Sequence, residues 1–514
     1  MPDTLLSRRN LFATGAGVAM AGALAELAHE PLFATARSDR PLVDWQAAAP
    51  AQGSGLPPPD PIVYLVNRIT FGLRPSDLDR ARGLGFAGFV DEQLNPELID
   101  DSEVDAVLAA DFPTLFMRPS RLLTLDKQVV TGALAGATLY RALYSRRQLY
   151  ELMVDFWTNH FNIYHYEKED FWLKTVDDRE VIRRHALGNF GDLLSASAAS
   201  PAMLVYLDNA HNTKAGPNEN YAREMLELHT LGVNGGYTQQ DVQEVARAFT
   251  GWTVLGKGAN AGRFTFNPAT HDNGARNVLG QQIPAGLGVG HGQRVLEITA
   301  SHPSTAVHVV TKLCVRFVSD TPPQSLIDAA AATFNGTQGD IREVMRTILT
   351  SDELRNAADQ KLRRPFEVVG AAVRALDAQV NGDGLASLAG ALVLMGQLPF
   401  NWIPPNGYPD ANAAWVNTNA MLNRWNLGLA LGANALKGVT ADFSVGSSPS
   451  AAHLVDQLTA RLLARPLLPA HRQLLVRFMA GDLPNRAPLP AQQVKTNLPG
   501  LVSLILDSPY FQWR

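Results

Sequence analysis

Pro217-Asn218-Glu219-Asn220-Tyr221-Ala222-Arg223-Glu224-Met225-Leu226-Glu227-Leu228-His229-Thr230-Leu231-Gly232 packs three carboxylates, an arginine, a histidine and two asparagines into one helical stretch. Pro217-Asn218 supplies a start signal, Gly232 a stop, and strong helix formers lie between them. At roughly 100° per residue, Asn220, Arg223, Glu224 and Glu227 share about a third of the circumference, while Ala222, Met225, Leu226 and His229 lie opposite. One face is therefore polar and the other is core. A solvated face carrying an Arg223–Glu227 pair, worth a few tenths of a kcal/mol, explains the same residues without any chemistry.

Outward from this helix the chain reads as mainly α, a large multi-helix globular body with one small glycine-rich insertion. Toward the amino terminus, a helix starts at Pro75, a second spans 86–94, and longer ones span 121–144 and 147–161. No strand-period alternation occurs before Gly251. Leu149, Leu152, Met153, Phe156 and His160 recur at helical spacing, so His160 ends an apolar stripe beside Asn159. A histidine so placed is commonly a satisfied core group. Toward the carboxyl terminus Thr238 opens another helix. Residues 256–292 turn glycine-rich around Phe264-Thr265-Phe266 and His271-Asp272-Asn273-Gly274, which reads as a β-hairpin or lid with Asn273-Gly274 as its turn. Helices resume over 305–317, 326–334, 341–350, 365–375 and 385–395. The proline-fixed aromatic run 397–409 follows, and loops of this kind line or cross a site.

The divisions expected are 1–36, an export signal; 37–60, an Ala/Gly/Pro-rich linker or strap; 61–254, a helical half holding the polar helix; 255–300, the hairpin or lid; and 301–514, a second helical half holding the aromatic loop. The signal is Ser7-Arg8-Arg9-Asn10-Leu11-Phe12, a weakly hydrophobic Ala/Gly run to Leu27, and Ala34-Thr35-Ala36. This is the pattern of twin-arginine export with a small-residue cleavage site. Glu26, His29 and Glu30 interrupt a run already short for a membrane span. The expected location is the periplasm or outside the cell, with no stable span after cleavage.

At 514 residues and 46% hydrophobic content the chain can bury a large core. Its 44 Lys and Arg against 49 Asp and Glu give a formal charge of −5 and no electrostatic reason to expect nucleic acid. Cys314 is the sole cysteine, which excludes an intrachain disulfide, a cysteine-ligated iron–sulfur cluster and c-type haem attachment. No phosphate loop, dinucleotide fingerprint or His-Glu-x-x-His pattern occurs, so no cofactor can be named. The oxygen-rich run 206–216 lacks the spacing of a calcium loop. Asp208, Glu224 and Glu227 do not form the Glu-x-x-His pairing of a di-iron bundle either.

Several of these segments occur together in one bacterial family, the domain of unknown function 1800. They are Asn67-Arg68-Ile69-Thr70-Phe71-Gly72, Phe156-Trp157-Thr158-Asn159-His160-Phe161, Tyr206-Leu207-Asp208, Asn218-Glu219-Asn220-Tyr221-Ala222-Arg223-Glu224, Leu231-Gly232, Thr250-Gly251-Trp252, His271-Asp272, Gly396-Gln397 and Pro404-Pro405-Asn406-Gly407-Tyr408. The chain resembles that family from about residue 61 onward. The resemblance implies an exported, mainly helical protein commonly encoded beside a second exported family. It implies no reaction, catalytic residue or cofactor.

The residues themselves suggest a periplasmic hydrolase or lyase acting on a polar, sugar-containing polymer. Its catalytic set would be Asn159, His160, Asn220, Arg223, Glu224 and Glu227, with His271 and Asp272 at the edge and aromatic walls from Trp402, Tyr408 and Trp415. Carboxylates serve as general acid and base, Arg223 holds an anion or lowers a neighbour's pKa, and indole and phenol faces stack on rings. Glu224 and Glu227 project from one helix and do not flank a glycosidic bond from opposite sides. The same residues equally suit a binding or assembly protein in which they form a buried structural network.

Overall fold

The computed structural model describes residues 55–444 and 449–514. The export signal and most of the linker lie outside these residues. The last part of the linker runs as a strap, with Leu56 packed on the core and Pro57 O accepting from Arg465. Helices dominate, and the strands form three two-stranded antiparallel sheets among the described residues.

Helix α1 (Pro61–Ile69) begins where the folded body was expected to begin. Asp60 caps it by accepting from the Ile62 and Val63 N–H groups at 2.9 and 3.3 Å, and Pro61 occupies the first turn, where no N–H is needed. Val63, Leu65, Val66 and Ile69 are all buried, so α1 is enclosed rather than amphipathic. Helix α2 (Pro75–Leu94) joins the two helices expected over this stretch across a break at Gly85, where φ is 71° and ψ is 173°. Helices α3 (Lys127–Tyr144) and α4 (Gln148–His160) follow. The stripe from Leu149 to His160 is buried as its spacing requires, and Trp157 Nε1–H donates to Ala186 O at 2.9 Å.

Helix α5 (Pro201–Tyr206) leads through the polar loop to α6 (Asn220–Glu224). The polar stretch is not one regular helix, because from Met225 to His229 the winding widens into a π turn. Helix α7 (Gln239–Ala248) opens on a reciprocal cap. Thr238 Oγ1 accepts from Asp241 N–H, and the Asp241 carboxylate accepts from Thr238 N–H.

The glycine-rich insertion forms two ribbons rather than one hairpin. Strand β1 (Trp252–Val254) pairs with β2 (Phe264–Phe266), and β3 (Arg276–Val278) pairs with β4 (Gln281–Ile283). The tight turn is Leu279-Gly280, with φ of 51° and 76°, the left-handed pair that a two-residue hairpin needs. Asn273-Gly274 turns the loop before it, where Asp272 Oδ1 accepts from Gly274 N–H at 2.9 Å. The first ribbon packs on α5 and the second on α7 and α8 (Gly290–Ala300). The insertion is thus a packed side layer, with Trp252 buried, rather than a flap across the aromatic loop.

The remaining frame is α9 (Pro303–Phe317), α10 (Gln324–Gly336), α11 (Ile341–Thr350), α12 (Pro365–Ala375), α13 (Gly382–Leu394), α14 (Thr418–Gly432) and α15 (Ala491–Leu506), with α15 packed along α14. One apolar core runs from Val63 in α1 to Phe511 near the end. Tyr64 and Arg68 of α1 also donate to the Leu354 and Ala357 carbonyls, each at 2.6 Å. The two helical halves therefore share one interior.

Candidate functional site

The polar turn buries Tyr221, Ala222, Met225, Leu226 and His229 and turns Asn220, Arg223, Glu224 and Glu227 outward, the division that helical spacing requires. Its ion pair differs from the one expected. Arg223 Nη2 donates to Glu219 Oε2 at 2.9 Å and to Gln239 Oε1 at 3.0 Å, and Gln239 Nε2 closes the triangle on Glu219 at 2.7 Å. Arg223 therefore pairs backward along the chain, leaving Glu224 and Glu227 without a cation partner within 4.0 Å among the described residues. Burial and the neighbouring Glu227 raise the Glu224 carboxyl above its ordinary value, and Arg223 opposes them. Partial burial and Glu227 likewise raise the Tyr237 hydroxyl.

The aromatic loop is a rigid platform. Asn162 Nδ2 donates to Trp402 O at 2.9 Å and Pro404 O at 2.7 Å, Tyr206 OH donates to Ile403 O, and Asn159 Oδ1 accepts from Tyr408 N–H at 3.2 Å. Gly407 sits with φ 71° so close to Asn159 that a Cβ would collide with the Asn159 carbonyl. At the loop's start Phe400 takes φ 64°, rare for such a side chain, with its ring buried and its carbonyl accepting from His165 N–H. Asn159 is thus an anchor of this loop, and its Nδ2 is held by Asp155.

Of the three expected aromatic walls Trp402 is partly buried and the other two are buried. Tyr408 and Trp415 are buried in a small cluster with Leu362, where Tyr408 OH donates to Leu398 O and Trp415 Nε1–H to Pro409 O, each at 2.9 Å. Beneath the loop a slot of about 20 Å³, lined by Asp155, Thr158, Asn159, Gln397 and Tyr408, has room for about one water. Above it lies a groove of about 300 Å³ lined by Leu398, Asn401, Trp402, Ile403, Pro404 and the edge of Tyr408.

His160 points away from this loop. Its Nε2 faces His229 O at 3.0 Å and must donate, so Nδ1 accepts from Lys312 Nζ at 2.9 Å. Burial, and then Lys312, hold His160 well below the ordinary histidine range. Burial likewise brings His229 to about 3 and Lys312 to about 8. With both nitrogens engaged and the ring neutral, His160 is a strut between α4, α9 and the π turn.

His271 and Asp272 belong to a third network. Thr250 O, His271, His291 and Pro284 O form a chain with contacts of 2.7, 2.8 and 2.9 Å. His271 Nδ1 also lies 3.1 Å from Thr250 Oγ1, and burial lowers both rings, so the neutral forms are favoured. Asp272 is held at about 2, chiefly by its hydrogen bonds from Arg247. The expected site residues thus fall into different hydrogen-bond networks, Arg223 with Glu219 and Gln239, His160 with His229 and Lys312, and His271–Asp272 with His291 and Arg247. Tyr206 OH donates to Ile403 O of the loop, and its hydroxyl, raised mainly by burial, is also raised slightly by the charge of Glu224.

Sequence reasoning missed the principal buried charges. Glu367, on α12, accepts from Arg316 and from Arg514 Nη2 at 2.5 Å through Oε1, and from Arg364 N–H at 2.8 Å through Oε2. Arg364 also holds Asp155, and Arg374 holds Asp77. Burial would raise the Glu367 carboxyl, but Arg316, Arg514 and Arg364 together bring it well below its ordinary value. One local signal was present, Lys361-Leu362-Arg363-Arg364-Pro365-Phe366-Glu367, whose basic run meets a helix start with Glu at the third position.

In the loop 206–216 Asp208 pairs with Lys168, and Asn209 and Asn212 donate to main-chain carbonyls. Among the described residues no group of three His, Cys, Asp or Glu is placed to hold a metal ion, and no helix is long and apolar enough to cross a membrane. No curated protein and no solved structure matches the chain. A family model described as "Protein of unknown function (DUF1800)" matches residues 64–513, which include the polar turn, the aromatic loop and Glu367, and the chain belongs to that family.

Proposed function

We propose that this protein is an exported enzyme, a hydrolase or lyase acting on a polar, sugar-containing polymer, with Glu224 and Glu227 as its acid–base pair. One observation carries the reading. These are neighbouring carboxylates on a partly exposed face, without an ion-pair partner among the described residues, and the first is raised by burial and by the second against the opposing charge of Arg223. A group so raised keeps a proton closer to neutral pH than an ordinary carboxyl and can donate it to a leaving oxygen, with Glu227 on the same side as the candidate base. Tyr206 OH donates to Ile403 O of the aromatic loop and feels the charge of Glu224. Incubation with soluble polysaccharides, reading new reducing ends for hydrolysis and ultraviolet-absorbing unsaturated ends for elimination, tests the reading. Turnover should vanish in Glu224→Gln, and full activity in that variant would overturn it.

A specific observation also supports the second reading, a binding or assembly protein. On α14, Leu422, Trp425 and Leu429 are 50%, 41% and 37% exposed on one face, and Ile403 is 64% exposed. Apolar surface of this kind suits a protein partner, for which the second exported family commonly encoded nearby is the natural candidate. Trp425→Glu should then abolish co-purification with that partner and leave folding intact, and unchanged co-purification would refute this reading.

Export is part of the proposal, resting on Ser7-Arg8-Arg9-Asn10-Leu11-Phe12. Changing Arg8 and Arg9 together to Lys should leave unprocessed protein in the cytoplasm, and processed protein in the periplasm would refute this route.

A further inference from the structure

We infer that the groove over the aromatic loop is a binding site for a neutral saccharide chain, with the Trp402 indole as its stacking face and the Asn401 carboxamide as its free polar contact. This rests on the polymer reading above and narrows it to hydrolysis of uncharged sugar units, because elimination needs the carboxyl group of a uronic acid to acidify the departing proton. None of the lining residues Val393, Gly396, Leu398, Asn401, Trp402, Ile403, Pro404 and Tyr408 carries an ionisable acid or base, apart from the phenol of Tyr408, which is bonded to Leu398 O. A site for an acidic sugar or a phosphate would need a cation here, and the nearest arginine of the polar turn is held by Glu219 and Gln239. Neutral sugars instead combine weakly polar C–H faces, which lie on indole rings, with hydroxyls that exchange hydrogen bonds with amides.

The groove is also built for such a ligand. Trp402 Nε1–H donates to Asn406 Oδ1 at 2.9 Å and its ring packs on Tyr408 with centroids 4.9 Å apart, while Asn162 holds its carbonyl. The indole is therefore fixed before any ligand arrives, which lowers the entropic cost of binding. Asn401 has no side-chain hydrogen bond within the described protein, although its main chain is bonded to Leu398 O. The volume of about 300 Å³ is at the small end for ligand pockets and suits one or two sugar rings.

The test is calorimetric titration of the full chain with cellohexaose and chitohexaose as neutral probes and hexagalacturonate as the acidic one. At least one neutral probe should bind, the acidic probe should bind more weakly, and Trp402→Ala should weaken the neutral probe by about tenfold. Trp402→Phe should restore part of the loss, which separates stacking from a folding defect. Glu224→Gln should bind as the unaltered protein does, so failure of the acid–base assignment leaves this site standing. Absence of Trp402-dependent affinity for both neutral probes, or preference for the acidic probe, would overturn the inference even if Glu224 proved catalytic.

Discussion

Glu367 and Glu224 are the same residue type on helices of one chain, and their surroundings are opposite. Glu367 is buried and meets three arginines, Arg316, Arg364 and Arg514, so its charge is fully answered. Glu224 is half-buried beside another carboxylate, and its own arginine is turned away to Glu219. Burying a charge without a partner costs several kcal/mol, so the interior carboxylate must be paired for the chain to fold. No such requirement explains two unpaired carboxylates side by side at the surface. The comparison separates charges that serve the fold from charges available for chemistry.

The largest effect should appear in acid, where the buried histidines and Glu224 respond with opposite sign. His165 and His229 are neutral in the fold, each brought to about 3 mainly by burial. Below the ordinary histidine value the unfolded chain takes up protons that the folded one refuses. Their contribution is complete above about pH 6.5 and is lost as pH falls toward 3, together roughly 5 kcal/mol by pH 4.5. Urea titrations from pH 7 to 4.5 measure it, and a flat profile would mean that these rings are solvated. Next in size is Glu367→Gln, expected to cost about 3–5 kcal/mol, because Arg316 and Arg514 stay buried without their carboxylate. A loss below about 1 kcal/mol would erase the contrast with Glu224.

A middle-sized effect belongs to the loop that stands between the two regions. Asn162→Ala removes both donors from the Trp402 and Pro404 carbonyls and should cost roughly 1–3 kcal/mol, with red-shifted indole emission as Trp402 loses its fixed position. Unchanged stability and emission would show that the platform does not depend on this anchor.

Much of the frame was legible in the sequence. The bounds expected for α11 and α12 are those observed, because strong apolar periodicity and a proline in the first turn are local signals. The inner and outer faces of the polar turn were also legible, since they depend only on spacing. What failed depended on partners distant in sequence. Arg223 had Glu219 and Glu227 at equal separation, and Gln239 on α7 tips it toward Glu219. The π turn at Met225 gave no local sign. Asn273-Gly274 was the stronger turn signal, yet Leu279-Gly280 makes the hairpin, its pairing held in part by Asp241, which accepts from Leu279 N–H at 2.7 Å. Trp415 looked like a wall and is buried, because only the fold brings Leu362 and Tyr408 against it.

The smallest predicted effect on stability carries the most information about function. In Glu224→Gln the side chain keeps its size and loses its charge. The carboxyl is raised in the fold, so the folded state takes up a proton more readily than the unfolded chain, and ionisation at neutral pH works against folding. Stability from this group is greatest below the ordinary carboxyl value and declines as pH rises through the raised one, the reverse of the buried histidines. Removing the charge also removes repulsion from Glu227 three positions on, and like charges at such spacing cost a few tenths of a kcal/mol. Glu224→Gln should therefore be neutral or slightly stabilising at pH 7, by no more than about 0.5 kcal/mol. Chemical denaturation beside a turnover assay on the same preparation gives both numbers. Loss of turnover with stability held would assign Glu224 to chemistry, whereas a loss of 1 kcal/mol or more would place it, like Glu367, among the charges that serve the fold.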